Sequence, residues 1–184
     1  VGPAVGEELR DQSGIALMLS LGLMMLFVAV RFVWRLSLGS VLALTHDAVI
    51  VIGFFAMTGY TFDLTVLAAV LAIIGYSINE SIVVADRVRE NFRLLLRGTP
   101  ADIINGAVTQ TLSRTVMTSS TTFLSAAALF FFGGEAIHNF AMAMMIGVTF
   151  GTYSSVFVAA SLMWYLGVSR DDFVVKVEEI DERP

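Results

Sequence analysis

Ile73-Ile74-Gly75-Tyr76-Ser77-Ile78-Asn79-Glu80-Ser81-Ile82-Val83-Val84-Ala85-Asp86-Arg87-Val88-Arg89-Glu90 decides how the chain is read. It is an apolar helical run interrupted by Asn79 and Glu80, then closed by alternating charge. A helix this apolar belongs in a core or a bilayer, and in either place a carboxyl needs a polar partner or a function. The rest of the sequence settles which environment it is. The chain is 57% hydrophobic and 15% charged, more apolar than an average soluble domain. Several of its stretches are long and almost free of charge, and in lipid such stretches satisfy their backbone groups only as helices. The fold class expected is an all-α polytopic membrane protein.

Five spans follow from the pattern: Ser13 to Val30, Leu36 to Met57, Leu64 to Ala85, Thr115 to Phe132 and Phe140 to Leu166. The spans together with the segment they enclose form a transmembrane domain over 13–166. Val1 to Asp11 reads as a polar lead-in with a Gly-Pro turn, and is expected to begin partway through a longer polypeptide. Arg31, Trp34 and Arg35 mark a membrane interface. Between the third and fourth spans lies the longest polar segment, 86–114. Thr99 is placed there as an N-cap, with Pro100 at the first helical position and Asp102 in the first turn. Ile103, Ile104, Ala107, Val108 and Leu112 recur at helical spacing, so this helix is expected to lie along the membrane surface on one apolar face. The tail 167–184 is acidic and expected in solvent.

Orientation follows from the arginines. The loop at 31–35 has two, the segment 86–114 has five and the tail has three basic residues, whereas the turns at 59–63 and 133–139 have none. The basic loops and the C-terminus are therefore expected in the cytoplasm. The net charge of −5 derives largely from the tail and says little about partners. Without cysteine there is no disulfide or thiol chemistry. His46 and His138 are too far apart for a zinc motif, and no phosphate loop, HExxH or nucleophile elbow is present. Neither an enzyme, a cofactor nor a nucleic-acid partner is expected.

Three charged side chains lie within the spans: Asp47 near the middle of the second, Glu80 and Arg114. Glu80 is six residues before Asp86, about 9 Å inward at 1.5 Å per residue. Arg114 opens the fourth span from the same side, so the two can pair if their helices touch. A carboxyl in low dielectric favours its protonated form and an approaching guanidinium reverses that preference, which makes Glu80, Arg114 and Asp47 candidates for a proton relay. Ser77, Asn79, Thr118 and Thr122 are the supporting polar residues. A static ion pair or hydrogen-bonded cluster is the plainer reading of the same residues, with snorkelling of Arg114 to the headgroups a further one. His46 is read as packing or hydrogen bonding beside Asp47. The hydroxyls Thr115, Thr118, Ser119, Ser120, Thr121, Thr122 and Ser125, and the glycines of Gly147-Val148-Thr149-Phe150-Gly151, fit helix–helix packing.

The stretch from Ile74 to Val84 with Asp86 to Asn91 resembles the signature of bacterial SecF, the protein-export membrane subunit family. So do Leu44-Thr45-His46-Asp47, Gln110-Thr111-Leu112-Ser113-Arg114-Thr115, Phe132-Gly133-Gly134-Glu135 and Gly151-Thr152-Tyr153-Ser154-Ser155. The resemblance covers nearly the whole chain in order. It implies five of the six helices of one half of a resistance-nodulation-division fold, with SecD supplying the other half, in the same chain or a separate one. Residues 1–12 would then end a periplasmic domain. The implied activity is proton-motive-force-driven assistance to preprotein export after the SecYEG channel, in the bacterial inner membrane, with the proton gradient in place of a cofactor. Glu80 and Arg114 match the family's proton-site positions, although the family usually carries Asp where this chain has Glu80, one methylene longer. A scaffold half without proton chemistry, and half of a small-molecule exporter of the same superfamily, are the alternatives.

Overall fold

A computed structural model describes residues 3–94 and 98–173, with side chains from Asp11 onward except that of Ser13. The described residues form helices α1 (Pro3–Arg31), α2 (Trp34–Thr58), α3 (Leu64–Leu94), α4 (Pro100–Phe132) and α5 (Glu135–Tyr153). A π-helical turn at Ser154–Val158 joins α5 to α6 (Ala159–Tyr165), and a 3₁₀ turn follows at Arg170–Asp172. Five helical stretches are long and apolar enough to cross a membrane: Gly14–Arg31, Trp34–Thr58, Leu64–Leu94, Pro100–Phe132 and Glu135–Tyr165. The described residues form an all-α bundle of five transmembrane helices.

Local sequence explains the breaks. Gly59 takes φ 74° as the C-cap of α2, a left-handed conformation that suits glycine. Asp63 then starts α3: its Oδ1 accepts from the backbone N–H of Thr65 (2.9 Å) and Val66 (3.0 Å) and from Thr65 Oγ1 (2.6 Å), the arrangement of an N-cap. Thr99 caps α4 as its sequence suggests, in a reciprocal box with Asp102 and with Pro100 in the first turn.

Two expectations change. The lead-in is helix from Pro3, which opens α1, through Glu7 to Asp11, and Gly2 of the expected turn lies outside the described residues; proline at a first helical position lacks only an N–H that would be unpaired anyway. The segment 86–114 is not a separate surface helix either. It divides between the last turns of α3 and the first turns of α4. Ile103, Ile104 and Ala107 are buried in the bundle rather than on an outer face. The tail beyond Phe173 lies outside the described residues, as does Arg97.

Burial sorts the interior into layers. One apolar cluster joins Leu36, Ala43 and Leu44 of α2 to Val84, Val88 and Phe92 of α3, Ile104 of α4 and Met163 of α6. A second joins Ala48, Val51 and Phe55 of α2 to Val66, Val70, Ile73 and Ile74 of α3 and Ala143 of α5. Asp47 on α2 and Ser77 on α3 fall between the two sets, Glu80 and Ser81 follow within the next turn between Ile78 and Val84 of the first set, and all four are buried. A polar band thus crosses the middle of the bundle.

Candidate functional site in the membrane interior

α3 places Ser77 and Glu80 on one face, because residues three apart are neighbours on a helix. α2 brings Asp47, fully buried, against that face: Ser77 Oγ donates to Asp47 Oδ2 at 2.5 Å. His46 Nδ1 lies 3.2 Å from Asp47 Oδ1, so the hydrogen-bonding reading of His46 holds despite the roughly 100° between adjacent helical residues. On the other side α4 supplies hydroxyls to Glu80. Thr115 Oγ1 donates to Oε2 and Thr118 Oγ1 to Oε1, each at 2.8 Å. Both oxygens of a carboxyl that is 2% exposed therefore have a neutral donor.

Close approach of α5 seals the band. A Cβ on Gly147 would fall 2.2 Å from Ile73 Cδ1, so only glycine admits the Ile73 side chain. Gly151, one turn on, lies over Asp47 and Ser77, where a Cβ would meet Asp47 Oδ2 at 3.5 Å. This gives the small-residue pattern of the fifth span its packing role.

Arg114 behaves differently from expectation. Its side chain is exposed, lines a groove of about 370 Å³ with Arg31, Asp86, Arg87 and Glu90, and makes no ion pair among the described residues. The reason is rotational. Thr115 and Thr118 face α3, and Arg114, about 100° from Thr115 and about 40° beyond Thr118, stands at the edge of that face. Of the supporting residues, Ser77 and Thr118 touch the carboxyls. Thr122 donates only to the Thr118 carbonyl at 2.9 Å, and Asn79 is exposed.

Several participants were not singled out as site residues from sequence. Thr115 is the closest of them. Tyr76 Oη lies 2.9 Å from Ser119 Oγ, to which Thr152 Oγ1 donates at 2.6 Å, linking α3, α4 and α5. Ser81 is fully buried with no hydrogen-bond partner for its hydroxyl. Serines and threonines are common in membrane helices, so only the contacts distinguish these. Among the described residues no cluster of three or more histidine or acidic side chains could hold a metal.

A profile of the family described as "Protein export membrane protein SecD/SecF, C-terminal" matches residues 1–169. The chain belongs to this SecD/SecF family. It is 48% identical over 186 residues to the protein translocase subunit SecF of Pseudomonas aeruginosa, covering 100% of this chain and 61% of that protein. It is 49% identical over 163 residues to the protein translocase subunit SecDF of Thermus thermophilus, covering 89% of this chain and 22% of that one. The crystal structure of SecDF from Thermus thermophilus, a translocon-associated membrane protein, superposes with a TM-score of 0.84 at 48% identity. The superposition covers 90% of this chain and 23% of that one. The chain therefore corresponds to the C-terminal part of SecF and spans about 60% of the length of its SecF relatives.

Proposed function

We propose that this SecF-family chain is one membrane half of a proton-motive-force-coupled accessory subunit of the Sec translocase. It assists preprotein export together with SecD, which would complete the six-helix pseudo-symmetric pair of a resistance-nodulation-division fold. Glu80 is the proton-carrying group and Arg114 the cation that governs it, with Asp47 a second carboxyl in the same band. The subunit is not an enzyme and carries no cofactor, its energy coming from the proton gradient. It sits in the bacterial inner membrane, acts beside SecYEG, and keeps its basic loops and C-terminus in the cytoplasm.

The observation that carries this reading is the mismatch around Glu80. Among the described residues, a buried carboxyl is met only by the neutral hydroxyls of Thr115 and Thr118, while Arg114, with no ion-pair partner there, stands next to Thr115 in an open groove. A guanidinium brought against a buried carboxyl favours its ionised form, so the distance between an arginine and such a group can govern proton binding. A small rotation of α4 that carries Arg114 toward Glu80 would release the proton from the carboxyl oxygen. The reverse rotation would let a new proton bind. Helix rotation of this kind is within the ordinary repertoire of switching proteins.

The test is export driven by a pH gradient, with the complete SecD–SecF assembly reconstituted beside SecYEG. Glu80→Gln and Arg114→Met are each expected to abolish the gradient-dependent component. Export at the wild-type level in both variants would remove these residues from the mechanism. One observation favours a scaffold instead: Glu80 already has both oxygens satisfied within the chain, as a static cross-helix link would. That reading predicts that every variant losing proton-coupled export also loses co-purification with SecD.

A further inference from the structure

At the arginine-rich end of the bundle, Arg31 stands on a ridge between two grooves. One holds Arg114. The other, about 260 Å³, lies between the end of α1, the last turns of α3 and the 3₁₀ turn, and is lined by Arg31, Arg89, Arg93 and Asp172 over Phe32 and Phe173. Arg89 and Arg93 are four residues apart, so their side chains share one face of α3 and repel each other. Neither has an acidic partner among the described residues. The single acid in the groove is already committed. Asp172 Oδ1 and Oδ2 accept from Arg35 Nη1 at 3.1 and 2.9 Å, and Oδ2 also accepts from the Ser169 N–H at 2.9 Å. Arg31 has only a 3.4 Å contact with Asp86, both groups being about half exposed, and such a pair leaves the guanidinium available.

The surroundings belong to a membrane interface. Trp34 is 60% exposed beside this groove, and Phe27, one turn before Arg31 on α1, is 57% exposed. Exposed aromatics next to cations at a helix end mark headgroup level, with hydrocarbon beginning where the apolar face of α1 starts. The groove is therefore cationic above, apolar on its floor and continuous with a lipid-exposed helix.

We propose that the groove of Arg31, Arg89 and Arg93 binds the phosphodiester headgroup of an anionic glycerophospholipid, whose acyl chains run along α1 past Phe27. Basic pockets between transmembrane helices are recognised sites for such headgroups. Planar guanidinium groups suit phosphate oxygens through paired N–H donors. Occupancy relieves the repulsion between Arg89 and Arg93 and ties the ends of α1 and α3 together. The site is separate from Glu80, so it can be tested without any assay of proton coupling.

The experiment is native mass spectrometry of the full-length protein, titrated with phosphatidylglycerol and, separately, with phosphatidylcholine. Phosphatidylglycerol is expected to be retained preferentially. Arg89→Gln and Arg93→Gln each reduce that preference roughly fivefold, whereas Arg87→Gln, whose guanidinium pairs with Glu90 in the other groove at 2.6 Å, leaves it unchanged. The Arg89→Lys/Arg93→Lys variant keeps the charge and retains a preference, which separates loss of the site from loss of the fold. Unchanged preference in the Arg89→Gln/Arg93→Gln variant overturns the proposal. So does displacement of the lipid by millimolar inorganic phosphate, which would mark a site for a free anion.

Discussion

Ser77 and Glu80 stand one turn apart on α3, yet they hold partners on different helices: Asp47 of α2 for Ser77, and Thr115 and Thr118 of α4 for Glu80. α3 is thus the common wall of two carboxyl sites. Ser77→Ala strips the fully buried Asp47 Oδ2 of a donor. It is expected to destabilise the bundle by about 1–3 kcal/mol, the penalty of an unsatisfied buried acceptor. Equilibrium unfolding in mixed micelles measures this, and a change below a few tenths would mean that another donor takes over.

The hydroxyls on Glu80 are separable from the carboxyl by a double-mutant cycle. Thr118→Val is expected to cost about 1 kcal/mol in the wild-type background, in line with interhelical hydrogen bonds in membranes. In a Glu80→Leu background the same change should cost close to nothing. Equal losses in both backgrounds would show that Thr118 acts through its bonds to the Arg114 and Thr115 carbonyls instead.

Gly147 admits Ile73 at a distance that no Cβ tolerates. Gly147→Ala is expected to destabilise the α3–α5 contact by about 1–3 kcal/mol through overpacking. In an Ile73→Ala background the same glycine change should cost close to nothing, because the atoms that clash are gone. Thermal unfolding in the two backgrounds side by side decides the matter; a Gly147→Ala protein as stable as wild type would mean that the helices simply move apart.

Asp63 gives the start of α3 a pH dependence. Partial burial pushes its carboxyl up, but the hydrogen bonds from the Thr65 side chain and from the Val66 and Thr65 backbone outweigh it, and the net direction is down. A carboxyl lowered in the folded state stabilises above its unfolded value, about 3.9, and the contribution disappears as pH falls through the folded value. Amide protection factors at the first turn of α3, corrected for the intrinsic pH dependence of exchange, are therefore expected to fall below about pH 4. Asp63→Ser keeps a capping oxygen that does not titrate, and should flatten the profile. An identical acid limb in that variant would place the effect elsewhere.

Span positions and the cap at Thr99 were legible because hydropathy and capping chemistry act within a few residues of themselves. Asp47 and Glu80 were legible singly, as charges inside apolar runs. What could not be read was azimuth. Depth puts Glu80 and Arg114 at one level, but a helix turns about 100° per residue, and the rotation of α4 turns Thr115 and Thr118 onto Glu80 and leaves Arg114 at the edge of that face. The apolar stripe at Ile103, Ile104 and Ala107 failed for a related reason. An amphipathic face fits a bilayer surface and a neighbouring helix equally well, and here the neighbour took it.

The π-helical turn at Ser154–Val158 gives the last span a register that no straight helix of the same composition would have. Ahead of it, Gly147 and Gly151 are set against Ile73, Asp47 and Ser77; beyond it, Met163 packs over Gly39 of α2, where an added Cβ would stand 3.5 Å from Met163 Cγ. An α-helix advances 3.6 residues per turn, and a π turn absorbs part of a residue more. The number of residues between Gly151 and Met163 is therefore a gauge length. Losing one there would leave hydropathy and span intact while rotating Met163 off Gly39, so this segment should tolerate exchanges of side chain far better than any change of length.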